Sequence, residues 1–336
     1  MNDKVLGVLY GMAIGDAMGM PPELWSRKRV KAHYGQITGF LDGCPENAIS
    51  YQYQAGQFTD DTGQALAILD SLIETDFVPS GQSIAAHILE WAKKENAFEN
   101  NILGPTSKVA LKLYEEGKSA KAFSDEAVSN GAAMRIAPIG ALFEPEQGEE
   151  LCRYVAAVSQ VTHTSDITIA GASMIAMAVA SAVSYGDRER MITDALSVEE
   201  YALSLGASTP SPSLGARTRL GVRLADAYAS DEEGFLEMLY NLVGAGVNTS
   251  ESVPAALAIA YYSFDVKKCA LLCANLGGDT DTIGAMATAV CGGANGFGAI
   301  PKAYAEQIEK ANGTDLKVYA EAVSERRGGC RWTKDV

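Results

Sequence analysis

Residues 277–301 read GGDTDTIGAMATAVCGGANGFGAIP. From Thr282 to Pro301 this stretch has no charge before Lys302, and Ile167 to Gly186 forms a second such run. Both are long enough to cross a bilayer, but Ala, Gly, Ser and Thr dominate them rather than the Leu, Ile and Phe that drive insertion. Each therefore reads as a central helix covered on all sides by other helices. Outward from these two, apolar residues recur at helical spacing: Val5, Val8, Leu9 and Met12; Leu66, Leu69, Leu72 and Ile73; Ile84, Ile88, Leu89 and Trp91. Further helices are expected near 106–117, 149–161, 165–185, 190–205, 213–229, 232–243, 252–263, 265–275, 282–292 and 301–325. No alternation of strand and helix appears, so the fold class is all-α.

Gly104-Pro105, Gly117, Gly186, Thr209-Pro210-Ser211-Pro212 and Asn312-Gly313 read as turns rather than linkers, and no fixed-period repeat is present. One compact domain over 1–336 is expected. The longest poorly periodic segment runs from Pro21 to Phe58, and it reads equally as a lid or binding loop and as a surface excursion.

With 336 residues and 47% hydrophobic content the chain can bury a large core. Forty-two acidic against 27 basic residues give a net charge of -15, which opposes nucleic acid or an anionic membrane as partner. A nucleotide-sized anion stays open to it through one Arg, helix N-termini or metal ions. The six cysteines, Cys44, Cys152, Cys269, Cys273, Cys291 and Cys330, form no paired zinc-type motif and read as free thiols. The N-terminus lacks the basic start, apolar core and cleavage site of a signal peptide, so a cytoplasmic location is expected.

Two Thr-rich acidic clusters stand more than half the chain apart: Phe58-Thr59-Asp60-Asp61-Thr62 and Gly277-Gly278-Asp279-Thr280-Asp281-Thr282. Four carboxylates brought together would repel one another until some protonated, unless a cation neutralised them. Oxygen donors without adjacent Cys or His suit Mg²⁺, Mn²⁺ or Ca²⁺. The competing reading is helix capping, which accounts for one acid per cluster and leaves the doubled acids unexplained. Gly11, Gly15 and Gly19 at helical spacing allow another backbone to approach closely, with Asp16 buried among them as a hydrogen-bond hub or a site residue. Glu23 follows at the start of the irregular region. Asn130-Gly131 through Gly140 reads as a tight turn before a helix, suited to phosphate or ribose oxygens. Arg135 within it is open to three roles: ligand contact, surface cation or partner of Asp16. His163, in Thr162-His163-Thr164-Ser165-Asp166, reads more readily as a satisfied hydrogen-bond partner than as a catalyst.

In order and spacing, GxxxGDAxG, FTDDT, NGAAMR, TH and NLGGDTDTIG resemble the ADP-ribosylglycohydrolase family from Leu6 through Gly293. FTDDT and GGDTDT together are highly specific; the Asn-Gly and TH elements are weak alone. The resemblance implies an orthogonal helical bundle around a cleft holding two Mg²⁺ or Mn²⁺ ions. By position, Thr59, Asp60 and Asp61 would be ligands on one side and Asp279, Asp281 and Thr282 on the other. Glu23 would stand at a flap. Asn130, Gly131, Met134 and Arg135 would line the diphosphate and ribose path, with His163 and the Gly277-Gly278 turn close to the ligand.

The implied reaction is metal-dependent hydrolysis of a ribosyl glycosidic bond, releasing ADP-ribose from an ADP-ribosylated acceptor, with an ADP-ribosylated protein or a small ribosylated molecule as partner. Asp60 or Asp61 would act as general base and Glu23 would gate or assist the leaving group. Three alternatives stand beside it: a dinuclear N-glycosidase acting on a small ribosylated metabolite or nucleoside, a non-catalytic ADP-ribose-binding protein, and a two-metal phosphoesterase. The acceptor linkage, the native metal and the oligomeric state are not legible in the residues.

Overall fold

The computed structural model describes residues 2–100 and 102–330. The expected domain extends past these to residues 1, 101 and 331–336, which lie outside the described residues. Among the described residues the chain is helical throughout; its only extended pairings are isolated bridges between Trp25 and Gly278, Ser129 and Asn248, and Ser165 and Ala207.

The seam that organises the molecule joins the N-terminal helix, Asn2–Gly19, to the helix Thr280–Asn295, antiparallel to it. A Cβ on Gly7 would meet the Gly292 carbonyl oxygen at 2.3 Å, one on Gly11 that of Thr288 at 2.3 Å, one on Gly15 that of Gly284 at 2.1 Å, and one on Gly19 that of Thr280 at 2.2 Å. Steps of four keep these glycines on one face, so the two backbones touch along the full length of the contact. Two hydroxyls bond across it: Thr280 Oγ1 donates to Gly19 O and Thr288 Oγ1 to Gly11 O, both at 2.6 Å. This register brings Asp16 and Asp281 to one hydroxyl, Thr59 Oγ1, which lies 2.9 Å from Asp16 Oδ1 and 3.5 Å from Asp281 Oδ2.

The helix Asp166–Tyr185 is apolar and long enough to cross a membrane, yet 94% of its most apolar window is buried inside the protein. It packs on Gly148–Ser159, Arg188–Ser197, Thr249–Ser263 and Thr280–Asn295, the covered central position expected of it.

The helix boundaries depart from expectation in four places. The stretch 190–205 is two helices, Arg188–Ser197 and Glu199–Leu203, joined at Val198. The stretch 301–325 breaks into Lys302–Asn312 and Leu316–Arg326, because Gly313 closes the first in the left-handed conformation and the Asp315 side chain caps the second. The expected 252–263 helix starts earlier, at Thr249, and carries Pro254 inside it; the Ser250 carbonyl that Pro254 cannot serve accepts instead from Arg217 at 2.9 Å. Finally, Arg27–Tyr34 is helical within the irregular region. Its anchor is polar: the buried Arg27 guanidinium bonds Glu233, Glu237 and the Asn275 carbonyl at 2.7, 3.0 and 2.7 Å.

Candidate metal centre and active site

Thr59 and Asp279 occupy the N-cap positions of the helices Asp60–Glu74 and Thr280–Asn295, and neither makes a side-chain cap bond. The capping reading of the two clusters therefore fails. For the Asp60 helix the cap comes from another part of the chain. Asp16 Oδ1 accepts from Thr59 N at 2.8 Å and Thr59 Oγ1 at 2.9 Å, and its Oδ2 accepts from Thr62 N at 3.0 Å and Thr62 Oγ1 at 2.6 Å. Asp16 is the buried hydrogen-bond hub. By serving the helix end it frees Asp60 and Asp61 for other work.

Thr59 Oγ1 also lies 3.1 Å from Asp61 Oδ2 and 3.5 Å from Asp281 Oδ2. One hydroxyl hydrogen can satisfy only one of the three carboxylates around it. The Oδ1 atoms of Asp61 and Asp281 are buried with no hydrogen-bond partner among the described residues. Oxygens of Glu23, Asp279 and Asp281 converge within 4.8 Å of one another. Burial, then mutual repulsion, raises Asp61, Asp281 and Glu23 well above the usual carboxylate range. Asp60 rises to about 7, from burial first and then the charges of Asp16 and Asp279. Asp16 and Asp279 rise to about 6, burial outweighing the hydrogen bonds that hold them down. Orphaned, buried, mutually repelling hard oxygens are the donor set a divalent cation of the Mg²⁺ or Mn²⁺ type satisfies, so the residues fit such ions.

The Gly277-Gly278 turn delivers Asp279 into this cluster. Both glycines have left-handed φ, 82° and 85°. Gly278 spends its N–H on the Trp25 carbonyl and its carbonyl on Leu24 N, both at 2.8 Å, while Asp279 N donates to Ala245 O at 2.7 Å. A Cβ at Gly278 would sit 2.0 Å from that same Ala245 oxygen. Gly278 thus positions Asp279 with both its backbone groups committed, rather than offering them to a ligand.

The segment 130–135 packs behind the acid cluster. Asn130 Nδ2 donates to Asp279 Oδ2 at 2.5 Å and to Ser252 Oγ at 3.0 Å, so Asn130 holds a cluster carboxylate. Met134 is buried. Arg135 is neither a surface cation nor a partner of Asp16; it is 1% exposed. Its guanidinium donates to Gln64 Oε1 and, at 2.6 Å, to Thr162 Oγ1. Gln64 in turn donates to Asp60 Oδ2 at 2.8 Å, and a backbone hydrogen bond and the Arg135 charge partly offset the rise of Asp60.

His163, also fully buried, continues this chain: Nδ1 lies 2.7 Å from Thr162 Oγ1 and Nε2 3.1 Å from Ser129 Oγ. The ring thus spans two hydroxyls, one at each nitrogen. Burial and the Arg135 charge depress His163 to about 3, which keeps it neutral. A Cβ on Gly131 would come 2.6 Å from the His163 ring, so His163 stands directly behind the Asn130-Gly131 turn and supports it.

Three participants were not singled out from the sequence. Gln64 is one turn beyond Asp60, and that i,i+4 spacing was the available signal. Ser252 offered none. Tyr53 faces the cluster from the irregular segment; burial and the charges of Asp60 and Glu23 keep its phenol protonated. It also lines a cavity of about 510 Å³ against the start of the Asp60 helix, together with Phe58, Thr59, Gly63 and Trp91. A similar cleft of about 540 Å³ by Lys31, Glu233 and Lys268 touches none of the clustered acids.

Comparison with known proteins agrees with this geometry. The family model for ADP-ribosylglycohydrolase matches residues 1–332. The uncharacterized protein YegU of Escherichia coli (strain K12) is 43% identical, over 97% of this chain and 98% of its own length. Human ADP-ribosylhydrolase ARH3 is 24% identical over 92% of this chain and 90% of its own. The ADP-ribosyl-[dinitrogen reductase] glycohydrolase of Rhodospirillum rubrum is 24% identical over 92% and 91%. A solved structure described as an ADP-ribosylglycohydrolase-related protein complex superposes with a TM-score of 0.69 at 22% identity, covering 97% of this chain and 98% of that one, and shares its fold. With the family model spanning nearly every residue and both acidic clusters facing one centre, the chain belongs to the ADP-ribosylglycohydrolases, hydrolases of glycosyl bonds.

Proposed function

We propose that the protein hydrolyses the bond at the anomeric carbon of an ADP-ribosyl group, releasing ADP-ribose from its acceptor. The carrying observation is the pair of orphaned buried oxygens on Asp61 and Asp281, beside the Glu23, Asp279 and Asp281 oxygens gathered within 4.8 Å. Thr59, Asp60, Asp61, Asp279, Asp281 and Thr282 would hold two Mg²⁺ or Mn²⁺ ions. Bound there, the ions would supply Lewis acidity toward water and an anchor for the ribose 2′ and 3′ hydroxyls.

The chain's own groups do the rest. Asp60, more exposed than Asp61 and oriented from behind by Gln64, is assigned as the base that takes a proton from the attacking water. Asp61, enclosed by Thr59, is assigned to holding charge. The clustered carboxylates favour the positive charge that develops at the anomeric carbon as the acceptor leaves. Glu23, half-buried on the turn that follows the N-terminal helix and within 4.8 Å of the Asp279 and Asp281 oxygens, is assigned to assist the departing group.

One observation favours a second reading, cleavage of a small ribosylated metabolite or nucleoside. Arg135, the cation expected on the diphosphate path, is buried and committed to Gln64 and Thr162. The test is mass-spectrometric product analysis with the Mg²⁺-loaded protein on ADP-ribosyl-arginine, ADP-ribosyl-serine and simple N-ribosides. Free ADP-ribose, absent with Asp281→Ala, is the expected result. Ribose from the N-ribosides alone would transfer the assignment to the second reading, and inertness toward the whole panel would refute both.

A further inference from the structure

We infer that His33, Cys44 and Glu46 form a second metal site, separate from the acid cluster and suited to a borderline divalent cation of the zinc class. One donor atom from each lies within 4.8 Å of the other two. His33 belongs to the last turn of the helix Arg27–Tyr34, while Cys44 and Glu46 belong to the irregular segment beyond it. Cys44 is buried and its two companions are exposed, so the sulfur is shielded while solvent reaches the open side, where water can complete the shell.

The spacing suits the chemistry. His33 Nε2 lies 3.5 Å from Cys44 Sγ. In a tetrahedral zinc site with ordinary bond lengths the nitrogen and sulfur ligands stand about 3.6 Å apart. Glu46 Oε2 is 2.7 Å from the sulfur, from which it now accepts the thiol proton. On binding, the S–H bond breaks, the sulfur lone pair goes to the metal, the proton leaves to solvent, and the exposed Glu46 side chain swings out by about 1 Å. A sulfur, nitrogen and oxygen set selects zinc-like ions, whereas the all-oxygen cleft selects hard ones, so one chain would sort two classes of metal. A fixed cation stands beside the cluster, Arg29, stacked 3.7 Å over Trp25 and donating to the Glu46 carbonyl at 3.2 Å; thiolate and carboxylate together outweigh it.

The residue after Glu46 gives this site its reach. Asn47 Nδ2 donates to the carbonyls of Pro21 at 3.2 Å and Glu23 at 2.9 Å. An ion fastening 44–46 to the helix Arg27–Tyr34 would fix the platform on which Glu23 stands.

The test titrates Co²⁺ and then Zn²⁺ into the full chain under saturating Mg²⁺. The expected result is a near-ultraviolet thiolate-to-cobalt charge-transfer band, displaced by Zn²⁺, abolished by Cys44→Ser and retained in Asp281→Ala. His33→Gln and Glu46→Gln, both at exposed positions, should each weaken Co²⁺ at least about tenfold with unchanged far-ultraviolet circular dichroism. Absence of the band in the native chain, its loss in Asp281→Ala, or its indifference to His33→Gln and Glu46→Gln would overturn the assignment. If Cys44→Ser does not fold, the two exposed variants decide alone.

Discussion

The glycine seam and the irregular segment from Gly35 to Phe58 hold opposite walls of one centre by opposite means. In the seam, backbone lies on backbone with only the Thr280 and Thr288 hydroxyls bonding across it, and Asp16 and Asp281 belong to the two helices so joined. The segment has a few apolar anchors, Ile37 in the core and Phe40 against Tyr304, and between them is tied by single polar bonds: Asn47 and Ser50 to Pro21, Gly43 to Tyr53, Gln307 to Ala55. A close-packed contact has one minimum and no give, whereas a set of separate hydrogen bonds can be exchanged with water one at a time. Rigid placement is what mutually repelling carboxylates require; an adjustable wall is what entry and release of a substrate require.

The sharpest way to break this contrast is to add one methyl group to each wall. Gly15→Ala would place a carbon 2.1 Å from the Gly284 oxygen, where only parting the helices can relieve it. A loss of about 3 kcal/mol in chemical denaturation is expected. Gly39→Ala meets nothing within 4 Å and should change stability by less than about 0.5 kcal/mol. Equal effects at the two sites would refute the comparison.

The second test separates what the rigid wall holds from what it costs. Asp281→Asn removes a buried charge whose Oδ1 has no partner, so the metal-free protein should melt higher than the native one. The same variant should lose the thermal shift produced by Mg²⁺ and at least about a hundredfold in turnover. A metal-free melting temperature that falls would mean that the carboxylates are satisfied without a cation.

The third test is pH. Asp60 at about 7, and Asp16 and Asp279 at about 6, all lie above their ordinary value, so the folded, metal-free chain binds protons that the unfolded chain has released. Their contribution is fully present below about 4 and is lost as pH rises toward 7, at up to about 1.4 kcal/mol per group and pH unit. His163 works in the opposite sense: depressed to about 3, it costs stability as pH falls below its ordinary 6.5. Metal addition leaves the His163 contribution untouched. The stabilisation gained from Mg²⁺, read as the difference between loaded and metal-free melting curves, should therefore grow from about pH 4 to 7. A flat difference would remove the acids from the metal site.

How much of this was legible in the chain follows from range. Helical period and glycine spacing are local patterns, and they announced the all-α fold and a face for close backbone approach. The acidic clusters announced themselves through doubled charges that capping cannot use. What no local pattern carries is which distant group satisfies which. Asp16 caps a helix that begins more than forty residues later, and Arg135 reaches Asp60 only through Gln64. The helix Arg27–Tyr34 was missed for a related reason: its anchor is a buried guanidinium paired with Glu233 and Glu237, where a hydrophobic period would search for an apolar face.

The smallest expected effect tests the adjustable wall alone. Asn47→Ala removes the donors to the carbonyls of Pro21 and Glu23 while leaving every clustered carboxylate in place. Loss of partly buried bonds of this kind costs about 1 kcal/mol of global stability, well below the cost of the seam variant. Its signature should lie in function: Glu23 shares its cluster with Asp279 and Asp281, so loosening its turn should lower kcat/KM about tenfold. The Mg²⁺ concentration for half-maximal thermal stabilisation should stay within about threefold of native, because Asp61 and Asp281 are held from the seam side. If Mg²⁺ affinity instead falls in step with turnover, Glu23 is held as firmly into the ligand set as the aspartates, and the wall that carries it is no more adjustable than the seam.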